Sequence, residues 1–256
     1  MEGMGGQRWQ GSLGHAPPRV ERVGDTVRRP REFWAPAVHG LLRHLEGVGF
    51  PAPRVLRVEG AVEVLSGIEG DSGRDGWAKV VPEEGLRRWA RFLRQYHEAV
   101  AGYRPPEDSV WSSTRGGTSA GEIVCHGDFG PWNGVWRGDE VVGLIDWDHA
   151  RPAPPLFDVA YALEYVAPFR DDEEATEWLA YPAPPDRGRR IGVFCEAYGI
   201  EVPRDVVSLV AQQQRTVLQT VEELGRRDIE PIAGWVRDGY WDTVRARIRW
   251  TEALRL

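Results

Sequence analysis

Residues 124–136 read VCHGDFGPWNGVW, and two motifs overlap in them. His126-x-Asp128-x-x-x-x-Asn133 has the spacing in which the Asp receives a hydroxyl proton and the Asn ligates a metal ion. Asp128-Phe129-Gly130 spells a second motif, in which the Asp itself holds the metal. The two assign Asp128 different chemistry, and the flanking sequence decides between them.

Downstream lies NGVWRGDEVVGLIDWD, residues 133–148, in which two β-rich runs flank the turn signal Arg137-Gly138-Asp139-Glu140. A turn on Gly138-Asp139 sets Trp136 against Val141 and Asn133 against Leu144, with Asp146 two residues further on. Strand side chains alternate, so Asn133 and Asp146 then share a face as a diagonal pair, with Cβ atoms roughly 7–8 Å apart. Two oxygen-bearing side chains at that separation suit one or two hard cations. Asp128 opens the loop that leads into this hairpin, as the first motif requires. The second motif needs a His-x-Asp-x-x-x-x-Asn segment upstream, and none exists. Phe129-Gly130 is therefore a coincidence, the metal aspartate is Asp146, and Asp148 is a candidate for a second metal or water contact.

Together with VVGLIDWDHA (141–150) and PLFDVAYAL (155–163), this stretch resembles the core of the aminoglycoside phosphotransferase family. That family shares the protein-kinase-like fold with choline kinases. The match is strong over 123–165 and fair over 35–103. The resemblance implies an α+β, two-lobed fold, with a small antiparallel β-sheet lobe and a larger, mostly helical lobe. It implies an enzyme that moves the γ-phosphoryl of ATP or GTP to an alcohol group of an antibiotic or metabolite, with Mg²⁺. Asp128 would orient or accept the acceptor's proton, and Asn133 and Asp146 would hold the metal. Asp158 would accept backbone N–H bonds and brace the loop, with His126 packing behind it. The backbone around Ser66 and Ile68 would meet the adenine or guanine edge.

The rest of the chain divides accordingly. RVERVGDTVRR (19–29) has the pattern of a hairpin turned on Gly24-Asp25, and 54–58 and 61–65 read as strands. APAVHGLLRHLEGVGF (35–50) has helical apolar spacing, ended by Gly47 or Gly49. The Gly-rich SGIEGDSGRDG (66–76) marks a lobe boundary, giving lobes of 1–66 and 67–256. Residues 82–103 form an amphipathic helix, 104–122 a loop, and 123–125, 134–136 and 141–146 short strands. Helices follow from Phe157, with a Pro-rich break at 181–188 and two long helices over 203–256 parted near Pro231.

The small lobe departs from the family pattern. Lys79 is the chain's one lysine and lies beyond the lobe boundary, so no lysine reaches the phosphates from the third strand, and a Walker-A loop is absent. In the hairpin register Val20, Val27 and Arg29 share a face, which resembles the nucleotide-facing floor of kinase small lobes, with valines for the base and a cation for the phosphates. Arg29 is the expected stand-in and Arg28 the runner-up, which on the opposite face pairs with Glu21 or meets solvent. Val38 or His39 falls where the family's helix glutamate belongs. Two glycines in QGSLGHAPPR (10–19) suit a loop over phosphates.

On the acceptor side, DDEEATEW (171–178) and Glu164 offer carboxylates for an amine-bearing acceptor, with Asp171 and Asp172 foremost. A solvated helix N-terminus favours the same acids. Trp132 and Trp147 flank the proposed chemistry and can stack on a ring or cation. A net charge of −7 speaks against nucleic acid and allows a cationic acceptor. The absence of a signal-like start or long apolar run, and two isolated cysteines, fit a cytoplasmic chain with no membrane partner. Two rivals remain: a kinase-like binding protein whose catalysis lapsed with the lysine, and a metal-dependent hydrolase built on the Asp cluster.

Overall fold

The computed structural model describes residues 20–179, 181–230 and 232–256, so the 10–19 glycine loop lies outside the described residues. Strands β1 (Glu21–Val23) and β2 (Thr26–Pro30) form the expected hairpin, with Val23 opposite Thr26 and Gly24 at φ 62° in the turn. Helix α1 (Ala35–Val48) ends on Gly49, whose φ of 76° is readily adopted by glycine. Strands β3 (Val55–Glu59) and β4 (Val62–Ser66) complete a four-stranded antiparallel sheet in the order β1-β2-β4-β3. A short helix α2 (Gly73–Ala78) lies in the Gly-rich boundary stretch.

Helix α3 (Glu83–Val100) buries Leu86, Trp89, Ala90, Leu93, Tyr96, His97 and Val100, the face its spacing predicts. Strand β5 (Ile123–Cys125) precedes the motif loop, and β6 (Gly134–Arg137) and β7 (Glu140–Leu144) form the hairpin after it. An unpredicted strand, β8 (Arg151–Ala153), pairs antiparallel with β5, so the motif loop and the hairpin both lie between paired strands. Its sequence, Arg-Pro-Ala, carries no strand signal of its own.

Six helices follow: α4 (Leu156–Val166), α5 (Asp172–Trp178), α6 (Arg187–Tyr198), α7 (Val206–Arg226), α8 (Ile232–Arg237) and α9 (Tyr240–Ala253). The C-terminal stretch thus holds three helices where two were expected, because Gly239, at φ 75°, breaks the second into α8 and α9. No helix among the described residues is long and apolar enough to cross a membrane.

One core runs through both lobes, from Trp34 and Leu42 of the small lobe to Phe194 and Trp241 of the large one. Phe50 stacks on Phe92 and packs against Tyr96, and the Leu144 N–H donates to the Pro51 carbonyl at 3.0 Å. The small sheet is thereby fixed over the β6–β7 hairpin, which sets the floor of the cleft. Leu93, with no exposed surface, sits in this shared core. Leu93→Ala should lower stability by about 2–5 kcal/mol, and in chemical denaturation both lobes should still unfold in one transition.

Candidate active site

The motif loop is shaped by its backbone. Gly127 has φ 81°, and a Cβ there would meet the His149 carbonyl oxygen at 2.0 Å, so only glycine fits. Asp158, on the first turn of α4 and fully buried, accepts the backbone N–H of His126 at 2.7 Å and of Gly127 at 2.9 Å. Burial alone would lift its pKa, but the His97 hydrogen bond and the loop donors outweigh that and hold it below the ordinary aspartate range.

His126 has no exposed surface. Its Nδ1 accepts from the Asp128 N–H at 3.3 Å, so the proton on Nε2 donates to the Ile145 carbonyl at 3.0 Å. Burial lowers its pKa, which suits this neutral tautomer. His126 therefore ties the motif loop to the end of β7. His97, Cys125 and Asp158 also bring ligand atoms near one another. Burial pushes the Cys125 thiol well up, and it lies against the Ala153 and Pro154 carbonyls, so this cluster is hydrogen-bonded core.

Asp128 projects half-buried from the loop and is held at both oxygens. Asn133 Nδ2 donates to Oδ2 at 2.8 Å and to the Asp128 carbonyl at 2.9 Å, and the Tyr161 hydroxyl donates to Oδ1. Tyr161 lies one turn along α4 from Asp158 and was missed in the sequence. Its signal was helical spacing: with Asp158 braced on the loop, position i+3 faces the same loop.

The route by which Asn133 and Asp146 arrive differs from the strand-pair expectation. A bulge between Val135 and Trp136 keeps Trp136 opposite Val141 but puts Gly134, not Asn133, opposite Leu144. Asn133 belongs to a 3₁₀ turn, Pro131–Asn133, and Asp146 lies past the end of β7 at φ 64°. A non-glycine residue in that region is rare and clusters at functional sites. The Ile145 N–H donates to the Asn133 carbonyl at 2.9 Å, which joins the two segments without a cross-strand pair.

Asp146 stands among like charges. Crevice burial, Asp148 and Asp128 together push its pKa up to about 6, against the pull of Arg29. Its surface is open to solvent, so the burial is that of a crevice floor and the neighbouring carboxylates are the firmer cause. Hard oxygen donors that repel one another are what a divalent cation neutralises, and Asn133 and Asp146 fit that role.

Arg29 is on the cleft face, yet carboxylates already hold it. It donates from Nε to Glu63 at 2.6 Å, and from its two terminal nitrogens to both oxygens of Asp148 at 2.8 and 3.2 Å. Trp34 Nε1 adds a third bond to Asp148 at 3.1 Å, so Asp148 is an arginine partner here and not an open metal ligand. Glu63, directly across from Arg29 on β4 and 2% exposed, accepts from His39 Nε2 at 2.6 Å. The helix position that lacked a glutamate thus carries a histidine that props one supplied by a strand. Burial would raise the pKa of Glu63, but His39 and Arg29 prevail and lower it. Arg28 faces away, remains open to solvent and pairs with Glu59 in place of Glu21.

The remaining candidates separate. Val27 shares the Arg29 face, whereas Val20 lies one residue before β1 and is largely exposed. The Ser66 N–H is bonded to the Arg54 carbonyl, and Ile68 packs over Gly143. Trp132 lies in an aromatic group with Trp77, Tyr161 and Tyr165 beside Asp128. Trp147 is not available to an acceptor: it is buried on His126 and Tyr96, with its N–H on the Leu144 carbonyl. Asp171 caps α5 by accepting the Glu174 N–H, and Asp172 pairs with Arg187, so both acids have structural partners. Glu164 is buried one turn beyond Tyr161 on α4, near Arg170 at 3.6 Å.

Residues 115–191 match the profile of the phosphotransferase enzyme family. Over 189 residues the chain is 36% identical to the trifolitoxin immunity protein of Rhizobium leguminosarum bv. trifolii, covering 71% of this chain and 70% of that one. The chain belongs to the phosphotransferase enzyme family. The members of that family are phosphotransferase enzymes, the class its motifs lead one to expect. The solved GDP and kanamycin complex of APH(2")-IIia superposes with a TM-score of 0.56 at 16% identity, covering 90% of this chain and 87% of that one. A choline/ethanolamine kinase family protein from Mesorhizobium loti gives a TM-score of 0.53 at 16% identity, covering 92% and 89%. These likenesses are to the two-lobed kinase fold.

The carboxylate crowding has a stability consequence whose sign is fixed. A carboxyl with a raised native pKa binds its proton more tightly when folded, so stability falls as pH rises from 3.8 towards about 6. Asp146→Asn should therefore raise the melting temperature of the ligand-free protein at pH about 7.5, and by much less at pH about 4.5.

Proposed function

We propose that this protein transfers the γ-phosphoryl of Mg²⁺-bound ATP or GTP directly to a hydroxyl of a small molecule. The observation that carries this is Asp128, clamped at both oxygens by Asn133 and Tyr161 beside the crowded Asp146. Phosphoryl transfer asks a protein chiefly to position reactants and to neutralise charge. A fixed carboxylate orients the acceptor hydroxyl and receives its proton late in the transfer. An acceptor hydroxyl would donate to Asp128 from the Tyr161 side, replacing that hydrogen bond while Asn133 keeps the carboxylate in place. Asn133 and Asp146 would hold Mg²⁺, which neutralises the phosphate charge when bound. Arg29 would supply the positive charge that a lysine supplies elsewhere, with Glu63 and His39 fixing its angle.

The relative at 36% identity is named for immunity to a toxin, trifolitoxin. Carried to this chain, that suggests a toxic or antibiotic acceptor which phosphorylation inactivates. The intact Asp128–Asn133–Asp146 set argues against a lapsed kinase, since a binding protein has no use for a clamped base. A hydrolase would have no use for a cation on the small sheet aimed at the cleft.

Two measurements test this. Incubation with Mg-ATP or Mg-GTP and hydroxylated compounds should give a product heavier by one phosphate in mass spectra; hydrolysis of the compound without nucleotide would favour the hydrolase. Asp128→Asn should lower transfer by at least about a hundredfold and leave nucleotide binding intact. Arg29→Ala should weaken nucleotide binding, whereas Arg28→Ala, on the opposite face, should not.

A further inference from the structure

Asp128 meets a chemical problem. A carboxylate that orients an alcohol orients water equally well, since both offer it an O–H. When water attacks, its oxygen bonds to the γ-phosphorus and the bond from that phosphorus to the β,γ-bridging oxygen breaks. The nucleoside diphosphate leaves with the electron pair, Asp128 receives the proton, and the product is inorganic phosphate. The nucleotide is then lost with nothing phosphorylated, so a kinase gains from keeping water away from its base.

The structure places a third hydroxyl at this point. Tyr161 donates to Asp128 Oδ1, the contact an acceptor hydroxyl would make, while Asn133 holds Oδ2. Tyr161 is 6% exposed, so the ring behind its hydroxyl excludes water from that side of the carboxylate. Burial and the nearby Asp128 charge push its pKa well up, so the phenol keeps its proton, remains a donor and is a poor nucleophile itself.

The hydroxyl is held there by the fold. Tyr161 sits on α4, which Asp158 pins to the same loop, and its ring lies 5.3 Å from Tyr165 and 6.4 Å from Trp132, edge to face. Trp132 in turn folds back over its own loop, where a Cβ on Gly130 would meet its ring at 2.2 Å. Trp132 is half-buried and presents part of this cover to solvent.

A hydrogen bond to a carboxylate is among the stronger ones a side chain makes. Water offers Asp128 the same bond and little else, so exchanging Tyr161 for water gains little and loses the packed geometry. An acceptor is bound along its whole body, and part of that binding can go into moving the Tyr161 hydroxyl aside.

Resting on the phosphotransferase reading above, we propose that Tyr161 separates acceptor from water: its hydroxyl occupies the acceptor's place on Asp128 until an acceptor displaces it, so nucleotide bound alone is not hydrolysed. Tyr161 is thus a positioning residue that acts through Asp128.

The test needs no identified acceptor, because water is the probe. The full chain as wild type, Tyr161→Phe, Asp128→Asn and the double variant is incubated with Mg-ATP or Mg-GTP, and released phosphate is measured. Tyr161→Phe keeps the ring and its contacts with Tyr165 and Trp132, so it should melt close to wild type. It should hydrolyse nucleotide at least about tenfold faster, with the change in kcat and the KM for nucleotide unaltered. In the double variant the gain should vanish, because it passes through Asp128. An unchanged or lower rate in Tyr161→Phe, a gain confined to KM, or a gain that survives Asp128→Asn overturns the inference. Nucleotide affinity is read on the same samples by calorimetry. Binding of Mg-ATP or Mg-GTP with no gain in hydrolysis ends this inference and leaves the kinase reading standing; no nucleotide binding by any of the four proteins ends both.

Discussion

A carboxylate with no exposed surface holds this molecule's chemistry in place. Asp158 anchors α4 to the backbone of residues 126 and 127, and the position of everything reactive follows from that contact. Helical spacing then aims Tyr161 at Asp128 and sets Glu164 and Tyr165 one turn beyond. A buried charge is costly unless fully hydrogen-bonded. Asp158 meets that condition with two loop N–H groups and His97, which leaves the loop little freedom to take another shape.

The small lobe solves the same problem with different parts. Arg29 cannot be neutral at any accessible pH, so a cation is always present on the cleft face of β2. Its planar fork binds Asp148 through two nitrogens and leaves Nε for Glu63, an arrangement a lysine could not make. His39 and Glu63 form a buried pair behind it, so the support for the cation comes partly from a helix and partly from a strand. Asp148, which follows β7, links this lobe to the larger one, which makes the cation a structural tie as well as a charge facing Asp146.

Aromatic residues serve two separate ends. Trp89 packs ring to ring with Phe129 and Trp136, Trp147 meets His126 and Tyr96 edge-on, and all four are buried in the core beneath the loop. Trp77, Trp132, Tyr161 and Tyr165 form a second group where α4 meets Asp128. Composition alone does not part these groups, because both are sets of aromatic residues. Trp132 and Trp147 looked equivalent as flanks of the loop; their burial separates them.

Much of the fold was legible without coordinates, because it rests on local rules. The Gly24 turn sets the β1–β2 register, the apolar period of 83–100 marks a buried helix face, and His-x-Asp-x-x-x-x-Asn is a covalent spacing that survives folding unchanged. The β6–β7 turn was legible too, but not the bulge beside Trp136, since an extra residue in one strand has no fixed sequence mark. Tertiary packing alone decided that Tyr161 meets Asp128, that Arg29 reaches Asp148 from 119 positions away, and that Asp172 pairs with Arg187. Those contacts join elements far apart in the chain, so their partners depend on which faces pack together. Residue spacing determines which way a side chain points from its own element, and only the assembled fold determines what it meets there.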